Sequence, residues 1–208
     1  IKLIAPCLFG VESIAADEFR RMGFESVTAE NGRVKLSGGI NMLARANICS
    51  RYAERIMIDV GEFRAATFTE LFDGVKSLPW EDYIGKYDAF PVNGRSIDSA
   101  LFSIPDCQSI VKKAIVERLK QKYHISHFEE TGAEYRVRFF IYKNVASLMI
   151  DTSGEGLHKR GYRRKSNDAP LKETLGAAMC DLARIYPDTL MFDPFCGSGT
   201  LLIEAALK

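Results

Sequence analysis

No apolar run in this 208-residue sequence approaches the ~18 residues of a membrane-spanning helix. The N-terminus shows no signal-peptide pattern, so the cytoplasm is the expected compartment. Cysteines in C-x-x-C spacing are missing. Cys7, Cys49, Cys107, Cys180 and Cys196 are scattered and odd in number, which argues against a disulfide framework or a zinc site and for reduced core thiols; no metal is expected. The chain also lacks a whole-chain charge excess. Its formal charge is +1, so a nucleic-acid partner has to be argued from where local charge sits. Both common phosphate-binding fingerprints are incomplete: no Lys precedes Thr200 as a Walker loop requires, and Gly197 and Gly199 supply only G-x-G of a dinucleotide G-x-G-x-x-G.

What is present is 47% hydrophobic and 26% charged, ordinary for a globular protein with one or two modest cores. Lys2 to Ala5 reads as a short strand, and Val11, Ile14, Ala15, Phe19 and Met22 recur at helical spacing before the stop at Gly23. Asn31-Gly32, the strongest two-residue hairpin signal, separates strands Glu25 to Glu30 and Arg33 to Leu36. A second helix from Ile40 to about Ala53 and an alternating strand from Arg55 to Phe63 complete a β-α-β-β-α-β order. That order is ferredoxin-like.

A second block opens with the amphipathic helix of Phe68, Leu71, Phe72 and Val75, which ends before Pro79-Trp80. A short strand lies near Phe90 to Val92. A long helix follows through Ile110, Val111, Ala114, Ile115, Leu119 and Tyr123, carrying Lys112, Lys113, Glu117 and Lys120 on its other face, with Lys113 and Glu117 spaced to pair. Strands Tyr135 to Tyr142 and Val145 to Asp151 flank Lys143-Asn144.

The last block is strand, turn, helix. Leu171, Leu175, Met179, Leu182 and Ile185 predict a helix with Pro170 in its first turn. Leu190 to Phe192 read as a short strand buried on both faces, and a new helix begins at Thr200. Between them, Gly197 and Gly199 let the backbone turn tightly and approach a ligand, at a helix start that presents unpaired N–H groups. That geometry suits a nucleotide-like cofactor. The sequence stops soon after, and a doubly wound sheet needs several further strands, so the chain is expected to be a fragment, trimmed at Ile1 as well.

Asp193-Pro194-Phe195-Cys196-Gly197-Ser198-Gly199-Thr200 resembles motif I of S-adenosylmethionine-dependent methyltransferases, in the D-P-x-x-G-S-G-T form of enzymes that methylate exocyclic base amines. Phe195 stands where the broader D-x-G-x-G-x-G pattern often has its first glycine. Phe90 to Leu101, Val111 to Leu119 and the closing hairpin resemble a THUMP domain. The strings Leu157-His-Lys-Arg-Gly-Tyr-Arg163 and Ala169-Pro-Leu-Lys-Glu-Thr-Leu175 resemble THUMP-containing RNA methyltransferases that act on guanine N2, the bacterial large-subunit ribosomal RNA enzymes among them. The expected architecture is α+β: a ferredoxin-like domain over 1–63, a THUMP domain over 64–152, a basic linker over 153–169 and the beginning of a Rossmann-like methyltransferase domain over 170–208.

The resemblance implies roles. Asp193 to Thr200 would line the methionine and ribose side of the cofactor, and Pro170, Leu171 and Glu173 belong to a segment similar to the motif X element that closes over it. Physically, the Asp193 carboxylate can attract the cofactor's ammonium. Methyl transfer from a sulfonium requires no protein nucleophile and no His lies near Cys196 in sequence, so a catalytic Cys196 is disfavoured. Lys159, Arg160, Tyr162, Arg163, Arg164 and Lys165 either form a solvated linker or hold RNA phosphate and stack on a base; the neighbouring resemblances favour RNA. Lys112, Lys113 and Lys120 either solubilise their helix or join that contact. No catalytic residue is named, because in the family it lies in a later [DN]-P-P-[YF] loop. The expected partner is RNA, ribosomal first and transfer RNA second. DNA amine methylation is a further enzyme reading, and an RNA-binding or assembly protein with a degenerate methyltransferase domain is the non-enzyme alternative.

Overall fold

The computed structural model describes residues 1–163 and 170–208. They form two compact units: residues 1–57 with 152–208, and residues 58–151. In the first unit, β1 (Lys2–Pro6) leads into α1 (Glu12–Arg21), β2 (Ser26–Glu30), β3 (Arg33–Ser37) and α2 (Ile40–Cys49). β3 pairs antiparallel with both β1 and β2, and the hairpin closes on the pair Glu30 and Arg33 with Gly32 at φ +72°. Leu3, Ile4, Ala15, Phe19, Val34 and Leu36 are buried there, with Phe19 edge-on to Phe24.

The periodicity that extends α2 to Ala53 overshoots; the helix ends at Cys49. The Ser50 hydroxyl accepts from Ala53 N–H at 3.2 Å and donates to the Glu18 carboxylate at 2.8 Å, and Glu54 N–H donates to the Pro6 carbonyl at 2.7 Å. The segment therefore leaves the helix to extend the edge of β1, where Ala53 bridges Cys7. Side-chain capping and a strand partner together outweigh one more helical turn.

The second unit takes β4 (Met57–Arg64) from Ile58 onward, then α3 (Phe68–Ser77), β5 (Val92–Ile97), α4 (Ile104–Tyr123), β6 (Arg136–Tyr142) and β7 (Val145–Asp151). Its strand order is β4-β7-β6-β5, with β5 parallel to β6 and β6 antiparallel to β7. Thr67 and Glu70 form a reciprocal capping box at the start of α3. The turn between β6 and β7 places both Lys143 and Asn144 at positive φ, as a two-residue hairpin requires. Trp80, Phe90, Ile115, Leu119, Phe139 and Ile141 lie fully inside, where Trp80 donates its indole N–H to the Val75 carbonyl at 2.7 Å. The strand expected near Phe90 begins at Val92 instead, because Phe90 is committed to the core and Pro91 has no N–H for a ladder. α4 starts earlier than its apolar periodicity suggests, with a proline in its first turn.

Back in the first unit, α5 (Glu173–Leu182) and α6 (Thr200–Ala206) pack together. Two expectations are corrected here. Pro170 precedes α5, whose N-cap is Lys172, and the Leu171/Leu175/Met179/Leu182 stripe is not the buried one: Leu182 is 66% exposed while Gly176, Ala177, Ala178 and Cys180 are buried. Small residues win because they let α6 come close; a Cβ on Gly176 would lie 3.1 Å from the Thr200 methyl. The other correction concerns Leu190 to Phe192, which form no strand. Leu190 and Phe192 are 95% and 85% exposed, since among the described residues no strand pairs with this run to satisfy its backbone.

Candidate functional site

The eight residues from Asp193 to Thr200 form a compact loop ahead of α6. Asp193 Oδ1 accepts from Phe195 N–H at 3.1 Å, Gly199 N–H donates to the Cys196 carbonyl at 2.7 Å, and Ile203 N–H then picks up the Gly199 carbonyl at 2.9 Å to start the helix. Gly197 at φ +56° and Gly199 at φ +72° occupy the left-handed region, where a side chain would be strained. Pro194, Phe195 and Cys196 face outward, Ser198 and Asp193 are half-buried, and Thr200 is buried with its hydroxyl 3.1 Å from Ser198 Oγ. This is a cradle of exposed backbone with one carboxylate beside it. Such a donor set suits a ligand carrying a cationic amine and hydroxyls, so the residues present fit S-adenosylmethionine. Cys196 gains no base: no hydrogen bond to its sulfur from a His is found among the described residues.

Leu171 and Glu173 lie next to this loop because α5 lies against α6. Glu173 is buried and ion-paired to Arg163 at 3.4 Å, and the Leu171 carbonyl accepts from the same guanidinium. Pro170 is half-buried just before them.

In the described part of the basic stretch ahead of α5, Arg160, Tyr162 and Arg163 turn inward. Arg160 donates to Glu204 Oε2 at 2.8 Å and to the Arg51 carbonyl at 2.6 Å; the Tyr162 hydroxyl donates to Glu204 Oε1 at 3.0 Å; Arg163 donates to Thr200 Oγ1 at 2.7 Å. Burial, and then the Glu204 carboxylate, push the Tyr162 hydroxyl well above the ordinary phenol range. Buried acceptors outcompete solvent for these donors because an unpaired carboxylate inside the protein is costly. Lys159 stays outside, paired with Glu155 at 2.6 Å, while Arg164 and Lys165 lie outside the described residues.

In the second unit Lys112 is also occupied. It donates to the Phe90 carbonyl at 3.1 Å and to Glu130 at 2.7 Å, with its ammonium 3.6 Å from the Phe90 ring centroid. Lys113 is exposed, and the pairing expected for it goes elsewhere: Glu117 meets Lys120 at 3.9 Å instead. Among the described cations singled out from sequence, Lys113 and Lys159 are exposed, whereas Lys112 and Lys120 are half-buried to the same degree.

Glu204, its partner Arg51 and Glu54, which sequence reasoning missed, hold this region together. Glu204 has no exposed surface and takes Arg51 at 3.0 Å besides Arg160 and Tyr162. Glu54 gathers His158 at 3.3 Å, Lys172 at 3.3 Å and the Thr174 hydroxyl at 2.7 Å. The available signal was a single carboxylate inside the apolar run of α6, which demands a buried cation. Among the described residues no cluster of three or more His, Cys, Asp or Glu is placed to hold a metal, and no helix is long and apolar enough to cross a membrane.

Comparison with known proteins assigns the pieces. Residues 2–57 match the RlmL ferredoxin-like domain, residues 65–151 the THUMP domain, and residues 160–208 the RMKL-like methyltransferase domain. The chain is 48% identical over 99% of its length to the candidate RNA methyltransferase YpsC of Bacillus subtilis (strain 168), of which it covers 54%. Among solved structures, a predicted N6-adenine-specific DNA methylase from Listeria monocytogenes str. 4b F2365 is 49% identical with a TM-score of 0.93, and SMU.472, a candidate methyltransferase complexed with SAH, is 42% identical with a TM-score of 0.91. The alignments cover 99% of this chain and 54% and 55% of those two chains. The chain thus spans about half the length of the relatives it matches, and it carries a ferredoxin-like, a THUMP and a methyltransferase-type segment in that order.

Proposed function

We propose that this chain, built from an RlmL-type ferredoxin-like domain, a THUMP domain and methyltransferase-domain residues, belongs to an S-adenosylmethionine-dependent RNA methyltransferase that modifies an exocyclic base amine, guanine N2 of large-subunit ribosomal RNA, in the cytoplasm. The observation that carries the reading is the Asp193–Thr200 loop, with Gly197 and Gly199 in the left-handed region immediately before α6. Asp193 would take the cofactor's ammonium, and Gly197, Ser198 and Gly199 would lie along its ribose side, with Leu171 and Glu173 on the facing segment. A relative complexed with SAH, the demethylated form of this cofactor, supports that choice. When bound, the cofactor supplies an electrophilic methyl group on sulfur.

An exocyclic amine delocalises its lone pair into the ring and is a poor nucleophile, so the protein has to orient it and strip it from its stack. Unstacking costs a few kcal/mol in a duplex and less in a loop or junction. The THUMP domain would hold structured RNA by its shape and present such a loop. Lys113 and Lys159, which are exposed, would meet the phosphates, together with Lys120, Arg164 and Lys165.

Calorimetry with S-adenosylmethionine on the complete protein, and on Asp193→Ala and Gly197→Val, tests the cofactor; undiminished binding in both variants removes it. Nucleoside mass spectrometry of a deletion strain tests the substrate. Loss of N2-methylguanine from ribosomal RNA is expected. Loss of a transfer RNA mark instead, or of methyladenine from DNA, would reassign it.

A further inference from the structure

We propose that Arg163 is a positioning residue that brackets the two segments of the cofactor site. The inference rests on the cofactor reading above. Arg163 reaches both: one nitrogen donates to Thr200 Oγ1 at 2.7 Å and to the Leu171 carbonyl, and another lies 3.4 Å from the Glu173 carboxylate. Thr200 closes the glycine loop and opens α6, and its hydroxyl lies 3.1 Å from Ser198 Oγ within the loop. A guanidinium is planar and presents its donors at fixed angles, so contacts on both sides set the distance between the segments, as a flexible ammonium could not. Glu173 balances the buried charge.

The same short stretch grips α6 a second time. Glu204 lies four residues beyond Thr200, on the same face of the helix, and takes Arg160 and Tyr162. The two grips divide the work. The Glu204 grip holds the body of α6, whereas the Arg163 grip ends on the last residue of the loop, where a small displacement moves Ser198 and the glycines. Arg163 therefore governs the shape of the cofactor cradle more than the stability of the unit.

The test uses the complete protein with Arg163→Ala, Arg163→Lys, Thr200→Val and the double variant Arg163→Ala/Thr200→Val. Arg163→Ala should weaken S-adenosylmethionine binding about tenfold, equivalent to ~1.4 kcal/mol. Thr200→Val should do likewise, and the double variant should bind no more weakly than either single one, because they remove the same link. Arg163→Lys keeps the charge beside Glu173 and provides the readout if the alanine variant fails to fold; it should recover stability without recovering affinity. Hydrogen exchange of the 195–199 amides in the cofactor-free protein should quicken in each. If Arg163→Ala and Arg163→Lys bind normally while Asp193→Ala weakens binding, the positioning role is overturned and the cofactor loop stands. If Asp193→Ala and Gly197→Val also bind normally, both fall together.

Discussion

Tyr162 donates its hydroxyl to Glu204 Oε1 across 3.0 Å, and Glu204 is wholly enclosed, with Arg51 and Arg160 on its other oxygen. The arrangement satisfies a buried carboxylate completely. Removing it would leave two guanidiniums without their counter-charge.

Glu204→Ala should therefore lower stability by about 3–5 kcal/mol, the range for breaking a buried ion pair from one side. Glu204→Gln should cost less, because its amide oxygen still accepts from an arginine. Urea unfolding of the complete protein measures both. A loss within the ~0.5 kcal/mol of an ordinary surface substitution would refute the anchoring role.

Acid should act on the second unit through Glu81. The Arg118 guanidinium, donating to it at 2.5 and 2.9 Å, holds its carboxyl down at about 2 against an ordinary 4.5. Because the folded value is depressed, its contribution is full above about 4.5 and disappears as pH falls toward about 2. Melting temperatures across that window should fall less steeply for Glu81→Gln than for the parent. Parallel curves would show that Glu81 does not couple to folding.

Gly94 offers a packing test. It pairs with Phe139 across the parallel strands, and a Cβ there would run into the Phe139 carbonyl oxygen and ring. Gly94→Ala should cost about 1–3 kcal/mol, as overpacking does. Gly39→Ala meets nothing within 4 Å and should shift the thermal midpoint far less. Equal shifts would remove the steric argument.

Thiol chemistry should split the cysteines. Cys49 and Cys196 are exposed, while Cys7, Cys107 and Cys180 are buried. Burial, with Glu12 and Glu54 nearby, pushes the Cys7 thiol up to about 12. A disulfide reagent at mildly alkaline pH should react quickly with two thiols in the native protein and with all five after unfolding. On the cofactor reading, S-adenosylmethionine should protect Cys196 and spare Cys49. A third fast thiol would contradict the burial pattern.

How legible all this was depended on distance along the chain. Asn31-Gly32 and Lys143-Asn144 announced their hairpins because a two-residue turn is decided by its own backbone conformations. The glycine loop before α6 was readable for the same reason. The inward turn of Arg160, Tyr162 and Arg163 was not, since apart from the Leu171 carbonyl and Glu173 their acceptors lie 37 to 44 residues away on α6 or, for the Arg51 carbonyl, 109 residues away. A local window sees only a basic cluster. The face of α5 was misjudged because large apolar side chains marked the core by periodicity, whereas close approach to α6 selected small ones. Leu190 to Phe192 looked like a strand, but a strand is made by its neighbours.

The first unit is drawn from both ends of the sequence, and that has a kinetic consequence. Arg51 finds Glu204 at a sequence separation of 153, and Glu54 finds Thr174 at a separation of 120. Closing such long loops carries a conformational cost that rises by about 0.6 kcal/mol with each doubling of length. The second unit shortens the path. Its first and last strands are neighbours, with Ala65 N–H on the Asn144 carbonyl and Ser147 on Glu62, so once it has formed the chain enters and leaves it at nearly the same place. Residues 57 and 152 are then effectively adjacent, and contacts that were remote become local. Entropy thus favours an order of events in which the inserted unit folds first and the divided one closes after it.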